Sequence, residues 1–180
     1  DDTGILQHCT CATPDRRHGY LTDDNARALI VTGLHWQQIQ DESVLPLMQT
    51  YLSFLAHAMD ESTGRFRNLL NYDRTWADMH GSEDSHARAL WGLGMGASLC
   101  PHESQIALCT RLFRQGLTAT ENFASPRAWA YCVVGAQAYL RRFGGDSEVR
   151  RYRAMFSERL VGLFEANMTD EWCWCEDMVT

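Results

Sequence analysis

The feature that most constrains the fold is a short motif that recurs at the start of three helical patterns. The motif reads ARAL at residues 26–29 and again at residues 87–90, and it returns more loosely as PRAW at residues 126–129. Each copy stands at the start of one helical pattern of apolar residues, and a second helical pattern follows it in the chain. The 180-residue chain is therefore predicted to form three helical hairpins with equivalent entry points. Such repeats build helical arrays, either an open solenoid or a closed ring.

Six helices are predicted from the spacing of the apolar residues, and strand-like alternation is almost absent. They cover residues 26–39, 43–59, 83–99, 102–121, 126–142 and 146–167. Thr22, Ser82 and Ser125 lie where N-caps are expected. Residues 61–81 form a long irregular segment, in which residues 65–67 and 69–72 are expected to pair as a short hairpin. The fold class is thus all-α with a small β-like insertion near residues 65–72.

Glycine is concentrated in the first helix of each predicted hairpin, at Gly33, at Gly92, Gly94 and Gly96, and at Gly135. Each glycine lowers helix stability by roughly 1 kcal/mol relative to alanine. That loss is tolerable where two helices must approach closely. The pattern therefore predicts an inner layer of first helices and an outer layer of second helices.

Composition narrows the class of protein. Hydrophobic residues make up 45% and charged residues 22% of the chain, which is typical of one globular domain covering residues 1–180. No apolar run reaches about 18 residues, and no signal-peptide pattern is visible. The chain has seven cysteines, and the simplest interpretation is a cytoplasmic chain with free thiols. The net charge of −7 and the scattered arginines argue against nucleic acid and membrane surfaces as partners. The two Cys-x-Cys pairs are spaced too closely for an ordinary zinc site, so no metal and no cofactor are expected.

Polar and aromatic residues gather at the predicted entry points. If the first helices form an inner layer, their N-terminal loops open at one end, and these residues converge there: His18, Tyr20, Asp23, Asp24, Glu83, Asp84, His86 and Arg127. Two further groups are expected beside them, the loop residues Tyr72, Asp73 and Trp76 and the tail residues Trp172, Trp174 and Glu176. Aromatic faces stack on sugars and carboxylates hold their hydroxyls, so the set predicts a carbohydrate site.

Glycoside hydrolysis commonly uses two carboxylates, a general acid and a nucleophile or base. Asp24 is the predicted first carboxylate, and Asp84 or Glu176 the second. In this interpretation the hydroxyl-binding residues are His18, His86 and Arg127, while Tyr72 and Trp76 stack on the sugar.

A purely structural alternative exists for the same acids. Acidic residues in the first turn of a helix complement its dipole, and Arg27 and Arg88 lie one turn further on, where they can pair with them. Asp24 is not needed for this purpose, because Asp23 already supplies an acid in the first turn.

Two other functions remain open at this stage. One is a non-catalytic sugar-binding or regulatory domain, which shallow, salt-bridged acids would favour. The other is a sugar epimerase or isomerase, in which histidines move the protons. The chain contains no glycine-rich phosphate loop, no Gly-x-Ser-x-Gly elbow and no His-Glu-x-x-His motif.

Five segments carry a resemblance that spans nearly the whole chain. They are HGYLTDDNARAL (18–29), LNYDRTW (70–76), GSEDSHARALWGLG (81–94), SPRAWAY (125–131) and WCWCED (172–177). Together they resemble a bacterial helical-toroid domain that occurs alone or beside glycosyltransferase domains in sugar metabolism. The chain is more distantly similar to the (α/α)6 toroids of glycoside hydrolases and sugar epimerases. The resemblance implies a sugar pocket lined by His18, Asp23, Asp24, Asn25, Arg27, Tyr72, Asp73, Glu83, Asp84, His86, Arg127 and Glu176.

Members of that family continue past the tryptophan-rich motif into further hairpins. The chain is accordingly expected to be an incomplete toroid, about half of six hairpins, with uncovered apolar helix faces at both ends. We expect those faces to drive homo-oligomer formation or to leave the fold marginally stable.

Overall fold

The computed structural model describes residues 1–174 and contains six long helices in that part of the chain. They are α1 (Thr22–Ile39), α2 (Leu45–Ala58), α3 (Glu83–Leu99), α4 (Glu103–Thr118), α5 (Pro126–Arg142) and α6 (Ser147–Asn167). A short 3-10 helix, Glu42–Val44, precedes α2. The predicted all-α class and all six helices are confirmed, with ends that shift by up to four residues.

The helices form two layers. In the inner layer, α3 lies between α1 and α5 and packs against both. Each remaining helix packs on the one that precedes it, α2 on α1, α4 on α3 and α6 on α5, and these three make the outer layer. Ala26 faces Gly92 and Gly33 faces Leu99, so α1 and α3 run in the same direction. Ser125, which caps α5, bonds to Asp84 at the start of α3. The first helices of the three pairs therefore present their N-terminal ends at one end of the layer.

Glycines allow the inner helices to touch backbone to backbone. A Cβ atom added to Gly94 would lie 2.2 Å from the carbonyl oxygen of Gly135. One added to Gly92 would lie 2.8 Å from the carbonyl oxygen of Ala26, and one on Gly135 2.9 Å from that of Leu90. No real Cβ fits at such distances from a backbone oxygen. The close approach predicted from the glycine pattern is confirmed at both junctions of the inner layer.

The short strands pair differently from the predicted hairpin. β5 (Arg65–Phe66) pairs with β4 (Met59–Asp60), and β6 (Leu69–Leu70) pairs with β3 (Tyr20–Leu21), in both cases antiparallel. The expected pairing of residues 65–67 with 69–72 is wrong, because each half finds its partner in an earlier part of the chain. The β3–β6 pair holds the irregular loop beside the start of α1.

A further hairpin, absent from the sequence-based prediction, joins β1 (Cys9–Thr10) to β2 (Thr13–Pro14). None of the helices in residues 1–174 is long and apolar enough to cross a membrane.

The helix starts confirm two of the three predicted N-caps. The Ser82 hydroxyl accepts the backbone N–H of Ser85, and the Ser125 hydroxyl accepts that of Ala128. Thr22 is not a cap: it is the first residue of α1, and its hydroxyl donates to the carbonyl of Arg67 at 2.6 Å. Thr22 instead ties α1 to the loop that leads to β6.

The inner-layer packing gives a direct stability prediction. Gly94→Ala forces a Cβ into the backbone of α5 and is expected to destabilise the fold by about 3 kcal/mol. Gly162→Ala on α6 is the control, because a Cβ there meets nothing within 4 Å, and it should stabilise the fold by up to about 1 kcal/mol. Urea unfolding measures both. Equal stability of Gly94→Ala and the wild type would contradict the packing.

Candidate functional site

Four charged side chains form an ion-pair network where α1 meets α3. Nη1 of Arg88 donates to Oδ2 of Asp23 at 2.8 Å. Nη2 of Arg27 lies 3.5 Å from the same oxygen and also donates to Oδ1 of Asp24. The formal charges of these two acids and two arginines cancel. The network therefore joins the starts of two inner helices in one neutral polar cluster.

Two atoms of this network are buried and have no hydrogen-bond partner within residues 1–174, Oδ1 of Asp23 and Nε of Arg88. One is an acceptor and the other a donor, and both belong to the same ion pair. The ion pair thus keeps one acceptor and one donor that no other group of the described chain satisfies.

Asp24 has an altered acidity. Burial raises the pKa of its carboxyl group, and the neighbouring charge of Asp23 raises it further, while Arg27 acts in the opposite direction. A carboxyl group in a desolvated position beside a like charge retains its proton to higher pH. Asp24 is therefore the member of the network best suited to exchange a proton.

Two aromatic residues that the sequence analysis did not single out extend the network. The guanidinium of Arg88 lies 5.1 Å from the ring centroid of Tyr131 on α5, and Trp91 on α3 stacks on the same ring at 5.7 Å. Their place in the repeat was the available signal, because each follows the recurring motif within two residues.

The two acids at the start of α3 bind at the junction between α3 and α5. Oε2 of Glu83 accepts the backbone N–H groups of Ala124 and Ser125 at 2.8 and 2.7 Å. Oδ1 of Asp84 accepts the hydroxyl of Ser125 at 2.6 Å. Both carboxylates thus bind the start of α5. The acids at 23–24 and at 83–84 form two linked junctions, each between consecutive inner helices.

His86 is completely buried and both ring nitrogens are used within the protein. Nδ1 accepts the backbone N–H of Phe66 at 3.2 Å, and Nε2 donates to the carbonyl of Gly116 at 2.9 Å. Burial lowers the pKa of this imidazole to about 3, and nearby Arg65 adds to the effect. The ring is therefore neutral and joins β5 to α4. It is not exposed to a ligand, so it is not part of the site that we propose below.

Tyr20 and Asn25 are also fully buried, and they anchor the N-terminal segment. The amide oxygen of Asn25 accepts the backbone N–H of Ile5 at 3.0 Å, and its nitrogen donates to the carbonyl of Leu21. The hydroxyl of Tyr20 donates to Asp1 at 2.7 Å. These contacts place residues 4–7 along the side of α1.

The predicted loop residues lie in separate surroundings. Tyr72 is exposed and stacks on Tyr20 with ring centroids 6.4 Å apart. Asp73 accepts the N–H and the hydroxyl of Thr75, which closes a turn. Trp76 is half-buried against Phe54, with ring centroids 6.0 Å apart.

The remaining predicted residues are at the surface or beyond the described chain. The exposed His18 lies 3.6 Å from Asp15 and makes an edge contact with His8. Arg127 and Trp174 are exposed. Glu176 lies outside the described residues.

A cavity of about 570 Å³ adjoins Asp24 and Arg27. Its walls come from the side of α1 that faces away from α3, from the start of α2 and from residues 5–7. Asp24 is the single carboxylate among its lining residues in the described chain. Within residues 1–174, therefore, no second acid faces Asp24 across this cavity.

No group of three or more His, Cys, Asp or Glu side chains in residues 1–174 has an arrangement that could hold a metal ion. Comparison of the chain with protein-family models, with curated proteins and with solved structures gives no match.

The buried imidazole of His86 predicts how the free energy of unfolding depends on pH. The pKa of His86 is about 3 in the folded chain and near its ordinary 6.5 when unfolded, so only the unfolded state takes up a proton between those values. Stability should fall as pH decreases through this window, by up to about 1.4 kcal/mol per pH unit from this residue. In urea titrations between pH 6 and 4, His86→Gln should lose the part of the dependence of unfolding free energy on pH that this residue contributes. Exposed His102→Gln is the control, and a His86→Gln slope equal to that of the wild type would contradict the assignment.

Proposed function

We propose that this chain is a carbohydrate-active domain whose sugar site lies at the N-terminal ends of α1 and α3, and that the site binds its sugar without hydrolysing it. The observation that carries the proposal is the neutral network of Asp23, Asp24, Arg27 and Arg88. It offers charged acceptors and charged donors side by side, which is what neighbouring sugar hydroxyls require. The motif resemblance supports the same substrate class.

The pairing of the acids favours binding over hydrolysis. Glycosidases place two carboxylates about 5 to 10 Å apart on either side of the scissile bond. Here Asp23 pairs with Arg88, Asp24 pairs with Arg27, and Asp84 binds Ser125. Each acid is thus engaged with another residue of the protein. A non-catalytic or regulatory domain in a glycosyltransferase system matches this arrangement best.

Glycoside hydrolysis is the second candidate, and the environment of Asp24 favours it. Burial and the charge of Asp23 raise the pKa of Asp24, as a general acid requires. The second carboxylate would be Asp84 or Glu176. An epimerase mechanism has less support, because His86 is buried with both ring nitrogens bonded.

The two-layer array supports the further proposal that the chain is part of an (α/α) toroid. Exposed apolar residues lie on both edges of the array, with Val31 64% exposed on α1 and Val161 56% exposed on α6. We propose that copies of the chain self-associate through the edge formed by α6, where Val161 lies.

The sugar site is tested by a panel of methyl glycosides in ligand-observed NMR. Asp24→Asn removes a charged acceptor and is expected to weaken binding about tenfold or more, since a hydrogen bond to a charged group contributes roughly 1.5–3 kcal/mol. Glu158→Gln, on α6, is the matched control and should leave binding unchanged. Unchanged binding in Asp24→Asn would refute the proposed site.

The same proteins are then incubated with aryl glycosides. We expect no release of the aryl group from the wild type. Release by the wild type that is lost in Asp24→Asn would replace binding with hydrolysis as the function.

A further inference from the structure

The cavity beside Asp24 is amphipathic along its length. Asp24 and Arg27 form its polar end, at the start of α1. Most of the part that extends from them is lined by apolar side chains, among them Val31 on α1 and Leu47 and Tyr51 on α2, while Thr32 and His35 add two polar groups there. Cavities of several hundred Å³ with apolar walls and a few polar groups are the usual form of small-molecule sites.

The α1 wall of this cavity differs from the corresponding faces of the inner layer. On α3, Gly92 faces the preceding helix and allows contact with the backbone of α1, and Gly96 makes room for the side chain of Leu29 on α1. The repeat places Val31 and His35 at the equivalent positions of α1. Their side chains prevent another helix from approaching at the distance seen inside the array. A helix packed beside α1 would therefore lie farther from α1 than α3 does, which leaves room for a small molecule in the cavity.

The polar end of the cavity selects an uncharged head group. Asp24 and Arg27 belong to the network whose formal charges cancel, so neither an anion nor a cation gains a net charge partner there. An acceptor oxygen and a guanidinium donor side by side bind hydroxyl groups. The remaining wall favours an apolar body, since burial of each methylene on such a surface is favourable.

We propose that the cavity binds an amphiphilic glycoside, with its sugar on Asp24 and Arg27 and its alkyl or aryl aglycone along Val31, Leu47 and Tyr51. The inference rests on the proposed sugar site and adds the class of ligand, a sugar linked to an apolar group. The head group contributes selectivity and the apolar wall contributes affinity.

The experiment compares methyl, butyl and hexyl glycosides of glucose and of mannose, each below its micelle concentration, by titration calorimetry. Affinity for the wild type is expected to rise by about twofold to fourfold per added methylene. Val31→Gln and Leu47→Gln should reduce this gain and leave methyl glycoside binding unchanged. Both side chains are exposed, so folding is unaffected. Val161→Gln, on the opposite edge, is the control and should retain the full gain.

The outcomes separate the two proposals. If methyl glycosides bind and hexyl glycosides bind no better, the apolar part of the inference is overturned and the sugar site stands. If hexyl glycosides bind equally well to the wild type and to Asp24→Asn, the cavity is an apolar site and the proposed sugar site fails. Failure of every glycoside to bind contradicts both. A dimer in light scattering that Val31→Gln abolishes would assign the cavity to a second copy of the chain and overturn the inference.

Discussion

Backbone contact between the inner helices determines how close together the side chains at their N-terminal ends can lie. Gly92 lies against Ala26, and Gly94 lies against Gly135, so no side chain separates α1 from α3 or α3 from α5. The same contacts keep the three helix starts at one end of the layer. Arg88, six residues into α3, can therefore reach Asp23 at the start of α1. The polar cluster exists because the glycines allow it.

The acids at these helix starts do more than complement the helix dipoles. Glu83 and Asp84 bind the start of α5, so they hold the N-terminal ends of α3 and α5 side by side. Asp23 does the same toward α3 through Arg88. Asp24 differs, since it pairs within α1 and borders an open cavity. It is the acid of the four whose position is least explained by contacts between the helices.

Local patterns predicted the local features of this structure. Helical spacing identified the six helices, and the Ser82 and Ser125 caps followed from residue type, because a cap depends on neighbours in the chain. The close glycine contacts also followed, since backbone approach is a main reason to tolerate glycine in a helix. Arg27 pairs with the acids of its own first turn, as one of the two interpretations of these acids predicted. Arg88 was expected to pair with the acids of α3, and this is wrong, because it reaches across the junction to Asp23 of α1.

Features that depend on distant contacts were not accessible in this way. His86 resembles an exposed polar residue in its motif, but its burial depends on Gly116, thirty residues further along the chain. Thr22 resembles a cap, but the carbonyl of Arg67 takes its hydroxyl. The strands β5 and β6 each prefer a partner from an earlier segment over one another. Trp91 and Tyr131 join the site only because α3 and α5 pack in register.

The most direct test of the account is a double-mutant cycle between Asp23 and Arg88, measured by urea unfolding of Asp23→Asn, Arg88→Gln and the double variant. These side chains form one ion pair across the α1–α3 junction and are largely shielded from water. We expect a coupling free energy of about 1–2 kcal/mol. Additive effects, within about 0.3–0.5 kcal/mol, would mean that the two helix starts do not meet and would contradict both the network and the site built on it.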